Sequence, residues 1–274
     1  MRARWVFAAV SGAIVTASGG ADAFCRTTTS PVPGDYDPTI LGCWKHGSPI
    51  AWLWDQQVPY ELDAAASRQI SLADATHAAD QAFSRWNHVQ CEGGPPNVTA
   101  VNGGPISASA VAAECSSTPC DPTLPGAYHL IVFRDSGWAY DDPSNTLALT
   151  TVTYGIDSAV LLNAEIEINS HDHTLTTVAP PAPGAFDLQT ILTHEAGHFL
   201  GLAHATSENA VMYAYYSQDS RELSADDTAG ICAAYPPQSG PGVLSCRLVP
   251  SRAGARPVAI GAALLVLFWA RRRR

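Results

Sequence analysis

The segment His194-Glu195-Ala196-Gly197-His198-Phe199-Leu200-Gly201-Leu202-Ala203-His204 constrains this chain more than any other feature. Asp187 to Leu200 has the pattern of a helix, capped by Asp187 and ended by Gly201. On such a helix His194 and His198 project from one face, about one turn apart. Two imidazoles so placed can share one Zn²⁺. A continued helix would carry His204 away along its axis. Gly201 can take the left-handed conformation that ends a helix, so the chain turns back and His204 can approach the same ion. Three protein ligands leave one position open to water, the arrangement of a catalytic rather than a structural zinc. Glu195 is placed to act as general base on that water and to return the proton to a leaving amine. An isolated HExxH string can equally be a solvated helix face; Gly201 and His204 extend the pattern beyond that.

The rest of the chain bounds what such a site can serve. With 274 residues of which 46% are hydrophobic, a sizeable core is available in one large domain or two small ones. The formal net charge is -10, and arginines close the chain, so the body is more acidic than the total. No basic stripe is offered to a nucleic acid, and none is expected as partner. Residues 1–23 have the order of a signal peptide: Arg2 and Arg4, an apolar run from Trp5 to Thr16, then Ala21-Asp22-Ala23. The mature chain is expected to start near Phe24 and to be exported, extracellular or at the cell surface; a buried N-terminal helix is the alternative. Seven cysteines suit an oxidising compartment: Cys25, Cys43, Cys91, Cys115, Cys120, Cys232 and Cys246. Cys246 stands outside the domain, the other six could form three disulfides in any pairing, and a short Cys115–Cys120 bridge is one option.

Residues 24–49, rich in Thr, Pro and Gly, read as an irregular, disulfide-tied opening segment. Strands are expected over Ile50–Leu62, Tyr128–Phe133, Leu147–Tyr154 and Leu161–Asn169. Apolar residues at helical spacing predict a helix over Ser71–Val89, and Ser224 caps a last helix ending at Tyr235 before two prolines. Residues 92–126 read as a long loop region with at most one short strand, and 179–185 as a Pro/Gly turn.

With these residues in view, the chain resembles a metzincin, and within that clan a matrixin. The pattern HExxHxxGxxH is matched throughout by His194 to His204. Met212, in Asn209-Ala210-Val211-Met212-Tyr213-Ala214-Tyr215-Tyr216, fits the methionine that lies in a turn beneath the zinc. Ala214 stands where matrixins usually have Pro, which suggests a looser turn. Ala82-Phe83-Ser84-Arg85-Trp86 and Leu223-Ser224-Ala225-Asp226-Asp227-Thr228-Ala229-Gly230-Ile231 are similar to matrixin segments in the first and last helices. The resemblance spans about residues 50–237 of a domain expected over residues 24–237, and it implies an α+β zincin-like fold: a twisted mixed β-sheet, three helices, and a cleft between two subdomains. It implies that an extended protein or peptide substrate pairs with an edge strand, here near Leu147 to Thr150 with Ala148 and Leu149 as contacts, and that Tyr213 to Tyr216 wall the main specificity pocket. Plain sheet edge and simple packing are the alternatives. No PRCGxPD motif is found in this sequence, so a thiolate on zinc is not expected unless Cys25 or Cys43 supplies it. The histidines of a second, structural zinc are not matched.

Residues 238–274 form a linker and tail. Pro257 to Ala270 is an apolar run shorter than the roughly 20 residues a membrane-spanning helix needs. With Cys246 before it and Arg271 to Arg274 after, it resembles the sorting tails of myxobacterial surface proteins, which implies a short hydrophobic helix and attachment to the membrane or cell surface. His171 and His173 could bind a second metal, and Asp135, Asp141 and Asp142 could supply oxygens to Ca²⁺, although a solvated turn and surface carboxylates are the simpler readings. These features together predict an exported zinc endopeptidase. The rival readings are a surface adhesion module that keeps the fold, and a zinc hydrolase of a cell-wall amide.

Overall fold

The computed structural model describes residues 24–34, 36–53, 56–109, 128–218 and 220–238, and the backbone of 260–269. The expected signal segment, Trp54, the Cys115–Cys120 option, Cys246 and Arg271 to Arg274 lie outside the described residues.

A six-stranded mixed sheet forms the centre, in the order β10-β5-β6-β4-β2-β3. Its members are β2 (Gln56–Asp63), β3 (Val98–Ile106), β4 (Leu130–Phe133), β5 (Thr146–Gly155), β6 (Leu161–Ile168) and β10 (Ile260–Trp269). Strands β3, β2, β4 and β6 run parallel to one another, while β5 is antiparallel to both β6 and β10. Two small pairs complete the strands: β1 (Cys25–Arg26) with β9 (Leu202–Ala203), and β7 (Thr174–Thr176) with β8 (Ala185–Asp187). The helices among the described residues are α1 (Pro38–Leu41), α2 (Leu72–Asn87), α3 (Leu188–Phe199) and α4 (Ala225–Ala234). This is an α+β fold of the metzincin type.

Helix α2 shows how sequence becomes packing. Ser71 accepts from Asp74 N and stops the first turn from fraying. Its buried face is Ala75, Ala78, Ala79, Ala82, Phe83 and Trp86. The alanines let α2 lie close to α3, and Phe83 fills the remaining space between Tyr60, at 4.0 Å, and Phe199, at 5.1 Å between ring centroids. Helix α4 carries the expected Ser224 cap as a full capping box with Asp227.

Several expectations are corrected. The strand expected from Ile50 begins only at Gln56. Trp52 is diverted inward instead: its backbone N donates to Tyr235 Oη at 3.0 Å and its indole Nε1 to Phe199 O at 2.8 Å. The long loop region contains a nine-residue strand, β3, which Gly103, Gly104 and Pro105 disguise and which β2 stabilises by parallel pairing. Among the described residues a short helix, α1, capped by Asp37 in the opening segment, joins the helices that were expected. The apolar run of the tail is a strand paired with β5 rather than a helix. The disulfides among the described residues are Cys25–Cys43 and Cys91–Cys232. Neither Cys25 nor Cys43 is therefore available as a thiolate.

Candidate metal centre

Helix α3 is buried along its whole length, which fixes its side chains without freedom to reorient. Asp187 caps it by accepting from Thr190 N at 3.2 Å, and Arg221 clamps that carboxylate with two donors at 2.6 Å. Trp86 Nε1 donates to Thr193 O at 2.8 Å, one residue before the first ligand. At the other end the carbonyls of Phe199 and Leu200 accept from Trp52 Nε1 and from Tyr235 Oη, at 2.8 and 2.9 Å. Groups that a helix terminus leaves without intrahelical partners are thus paired inside the core.

Gly201 then turns the chain. Its φ is +83°, and a Cβ there would stand 2.7 Å from Ile50 O. Both facts require glycine. The turned segment, β9, is gripped by the opening segment: β1 pairs with it, Thr27 N donates to Gly201 O at 3.0 Å, and Arg26 reaches Ile50 O at 2.8 Å. The Cys25–Cys43 bridge ties this strap down. The opening segment is therefore part of what delivers His204.

His194, His198 and His204 converge, with ligand atoms all within 4.8 Å of one another. Their ring centroids are 4.7, 4.9 and 5.2 Å apart. His194 Nδ1–H donates to Val211 O at 2.7 Å and His198 Nδ1–H to Leu202 O at 2.9 Å. These bonds fix the tautomer that leaves Nε2 as the ligand atom. Nε2 of His198 and of His204 is buried without a hydrogen bond. Burial pulls the His198 imidazole down to about 4 and holds His194 and His204 well below the usual histidine range, with the neighbouring rings adding to the effect. All three are thereby neutral, the form that binds a metal. Buried, neutral, converging nitrogens with no other partner at two of them fit a zinc ion of three-histidine type.

Glu195 lies in the same enclosure. Its Oε2 accepts from Thr150 Oγ1 at 2.5 Å, while Oε1 is buried with no hydrogen bond. Burial pushes its carboxyl up to about 8, opposed by the Thr150 bond. Thr150 on β5 is a site residue whose role the sequence pattern did not disclose.

The methionine turn is fastened from two sides. Met212 O accepts from Ala205 N at 2.7 Å, next to His204. Asp227 accepts from Val211 N at 2.8 Å and Met212 N at 3.0 Å, so the capping residue of α4 also holds the turn. Met212 itself is buried beneath α3 at Gly197, where any Cβ would overlap its sulfur and Trp86.

The expected substrate residues separate. Ala148 and Leu149 lie buried on β5 in the stretch adjoining Thr150. Tyr216 Oη accepts from Asp187 N at 2.9 Å and packs edge-on to Phe186, which fixes the wall segment to the start of α3; Tyr213 lies half-buried with its ring against Tyr215. His173 does not join His171 at a metal: its Nε2–H donates to Pro143 O and Thr146 O at 3.0 and 2.9 Å. The Asp135 carboxylate is taken up by Ser67, Ser170 and Arg68 N, and Asp142 by Asn145, so the Ca²⁺ expectation gains no support.

Comparison with known families agrees with this arrangement. Residues 131–236 match the matrixin family model. Metalloendoproteinase 1-MMP of Arabidopsis thaliana is 44% identical over 55 residues, 19% of this chain and 15% of that protein. Probable matrix metalloproteinase 095L of Invertebrate iridescent virus 3 is 27% identical over 99 residues, 36% of this chain and 26% of that protein. Karilysin of Tannerella forsythia is 41% identical over 49 residues, 18% of this chain and 10% of that protein. The chain thus spans only a small part of the length of these relatives. With the three-histidine centre inside the matched stretch, residues 131–236 are similar to a matrixin catalytic domain.

Proposed function

We infer that this protein is an exported zinc-dependent endopeptidase that hydrolyses internal bonds of extended protein or peptide substrates. The observation that carries the reading is the buried triangle of His194, His198 and His204 with the Glu195 carboxylate beside it. Zinc held by these rings would supply Lewis acidity, polarising the scissile carbonyl and lowering the pKa of water. The chain supplies the rest. Glu195 Oε1 accepts the proton of the attacking water and passes it to the leaving nitrogen. Thr150 holds the other oxygen and so orients the carboxylate. The Val211 and Leu202 carbonyls orient His194 and His198. Two disulfides support an oxidising, exported setting.

The test is incubation of the zinc-loaded protein with casein or gelatin, with and without chelator. Chelator-sensitive cleavage, lost in Glu195→Ala while zinc stays bound, is the expected result. One zinc per chain with no cleavage of any protein would overturn the reading in favour of a binding module, and cleavage of peptidoglycan alone in favour of a cell-wall hydrolase.

A further inference from the structure

The third histidine is held differently from the first two. His194 and His198 belong to α3, which is buried along its whole length. His204 lies beyond the Gly201 turn, on a segment gripped from two sides. On one side Ala205 N donates to Met212 O at 2.7 Å. On the other the opening segment holds β9. Thr27 N donates to Gly201 O at 3.0 Å, and Thr27 Oγ1 donates to Leu202 O at 3.0 Å, the carbonyl that also receives His198 Nδ1–H. Arg26 Nη2 donates to Ile50 O at 2.8 Å, and Ile50 N donates to Thr27 O at 2.9 Å.

The strand that makes this grip, β1, is two residues long, and its Cys25 stands opposite Ala203, the neighbour of His204. A strand pair so short has little stability of its own. Ahead of it the Thr28–Pro49 bridge continues the contact. Behind it the tie is covalent: Cys25 is bonded to Cys43 across a separation of 18 residues. Cys25 is 3% exposed and Cys43 half-buried, so an external thiol approaches the bond from Cys43.

We propose that the Cys25–Cys43 bridge is a redox gate on the metal centre. Closed, it keeps β1 on β9 and His204 turned toward His194 and His198. Opened, it frees β1 and leaves two well-placed ligands instead of three. The opening step is thiol–disulfide exchange. Two external thiols supply two electrons and two protons, the S–S bond breaks, Cys25 and Cys43 become thiols, and the external thiols leave joined as a disulfide. A chain in a reducing compartment would therefore hold zinc weakly, and closure of the bond in an oxidising one would complete the site. The gate rests on the zinc reading above and extends it to the condition under which the centre loads.

The experiment compares the full-length oxidised parent with Cys25→Ser/Cys43→Ser and with Cys91→Ser/Cys232→Ser. The second pair removes the bridge between the chain just after α2 and α4 and leaves β1 tied. Zinc affinity is read by competition with a metal indicator, amide exchange over residues 201–205 reads the strap, and the visible spectrum of the cobalt-substituted chain reads ligand number. In the first variant zinc affinity should fall roughly 10- to 100-fold, the scale found when groups that orient a ligand are removed. Exchange should quicken and the cobalt bands should weaken, and adding His204→Ala should cost little further affinity. The second variant should keep the parent affinity and spectrum even where it is less stable. Should the first variant fail to fold, external thiol is added to Cys91→Ser/Cys232→Ser, with His204→Ala in the same background as the blank for metal taken by the thiol. Zinc release should then track loss of the Cys25–Cys43 bond. Parent affinity without the bridge, release that precedes loss of the bond, or an equal fall in both bridge variants would overturn the gate. An oxidised parent that takes up no zinc would instead refute the metal reading on which the gate depends.

Discussion

Thr150 Oγ1 donates to Glu195 Oε2 across 2.5 Å, and both residues are fully buried. A strand of the sheet thereby sets the orientation of the carboxylate on α3. Valine keeps the shape of threonine but removes the donor. Thr150→Val is expected to lower kcat by roughly 10-fold while leaving zinc content and KM near parent values, the scale of loss when a group that orients reactive side chains is removed. Steady-state kinetics with metal analysis checks this. A variant with unchanged kcat would mean that packing alone positions Glu195.

Asp227 joins the methionine turn to the start of α4: its carboxylate accepts from Ser224 N, Val211 N and Met212 N. Val211 O in turn receives His194. Asp227→Ala would leave buried amides unsatisfied, with an expected loss on the order of 3 kcal/mol in unfolding free energy. Zinc retention should weaken with it, because the acceptor of His194 Nδ1–H is displaced. Chemical denaturation and competition with a metal indicator measure the two effects. A stable variant that loses zinc would separate the turn from the fold; a destabilised one that holds zinc normally would show that the turn does not orient His194.

The centre could be read from the sequence because its logic is local. His194 and His198 share a helix face, Asp187 starts that helix and Gly201 ends it, and each signal lies within a few residues of what it controls. The same holds for Ser71 and Ser224 as caps, for β4, which is apolar throughout, and for β6, whose apolar residues alternate with polar ones. What escaped depends on residues far apart in the chain. Trp52 and Tyr235 pair the last carbonyls of α3, and nothing in their own neighbourhoods signals it. Ser224 reads as a helix cap because its role is local; the reach of Asp227, in the first turn of that helix, to Met212 is not. β3 was hidden by its glycines and proline, which break the pattern that parallel pairing with β2 overrides. The run that forms β10 was expected as a short hydrophobic helix; a short apolar run has no period that separates helix from strand, and its pairing with β5 is far away in sequence.

Two histidines away from the metal centre are expected to make the fold less stable in acid. His129, with Nδ1–H donating to Asn163 Oδ1 at 2.8 Å, and His173, donating to two carbonyls, are both held below the usual histidine range, chiefly by burial. The unfolded chain binds a proton at each near pH 6.5, which the native state refuses until lower pH. Unfolding free energy is therefore fully retained above that value and falls as pH drops below it, by up to about 1.4 kcal/mol per pH unit for each residue. Glu61 and Glu165, whose carboxyls burial pushes up, act in the opposite sense. Comparison at matched pH with His129→Asn/His173→Gln, which keeps a donor at each site without the titration, isolates the histidines. The variant should lose less stability between pH 7 and 5.5 (roughly the window just below the unfolded value); equal losses would rule these two residues out.

Gly201 is the turn on which the placement of His204 depends. Its φ of +83° is unfavourable for any side chain, and a methyl there would also press on Ile50 O, part of the backbone strap that Arg26 binds. Gly201→Ala must either strain the turn or push the strap away. The expected cost is about 1–3 kcal/mol in stability. The more telling effect is on metal: His204 is carried by the chain just beyond the turn, whereas His194 and His198 are fixed on α3. Zinc should bind the variant more weakly, and adding His204→Ala to it should weaken binding much less than His204→Ala does in the parent. A double-mutant cycle on zinc affinity reads this directly. Fully additive effects would mean that Gly201 matters to the fold and not to the delivery of His204.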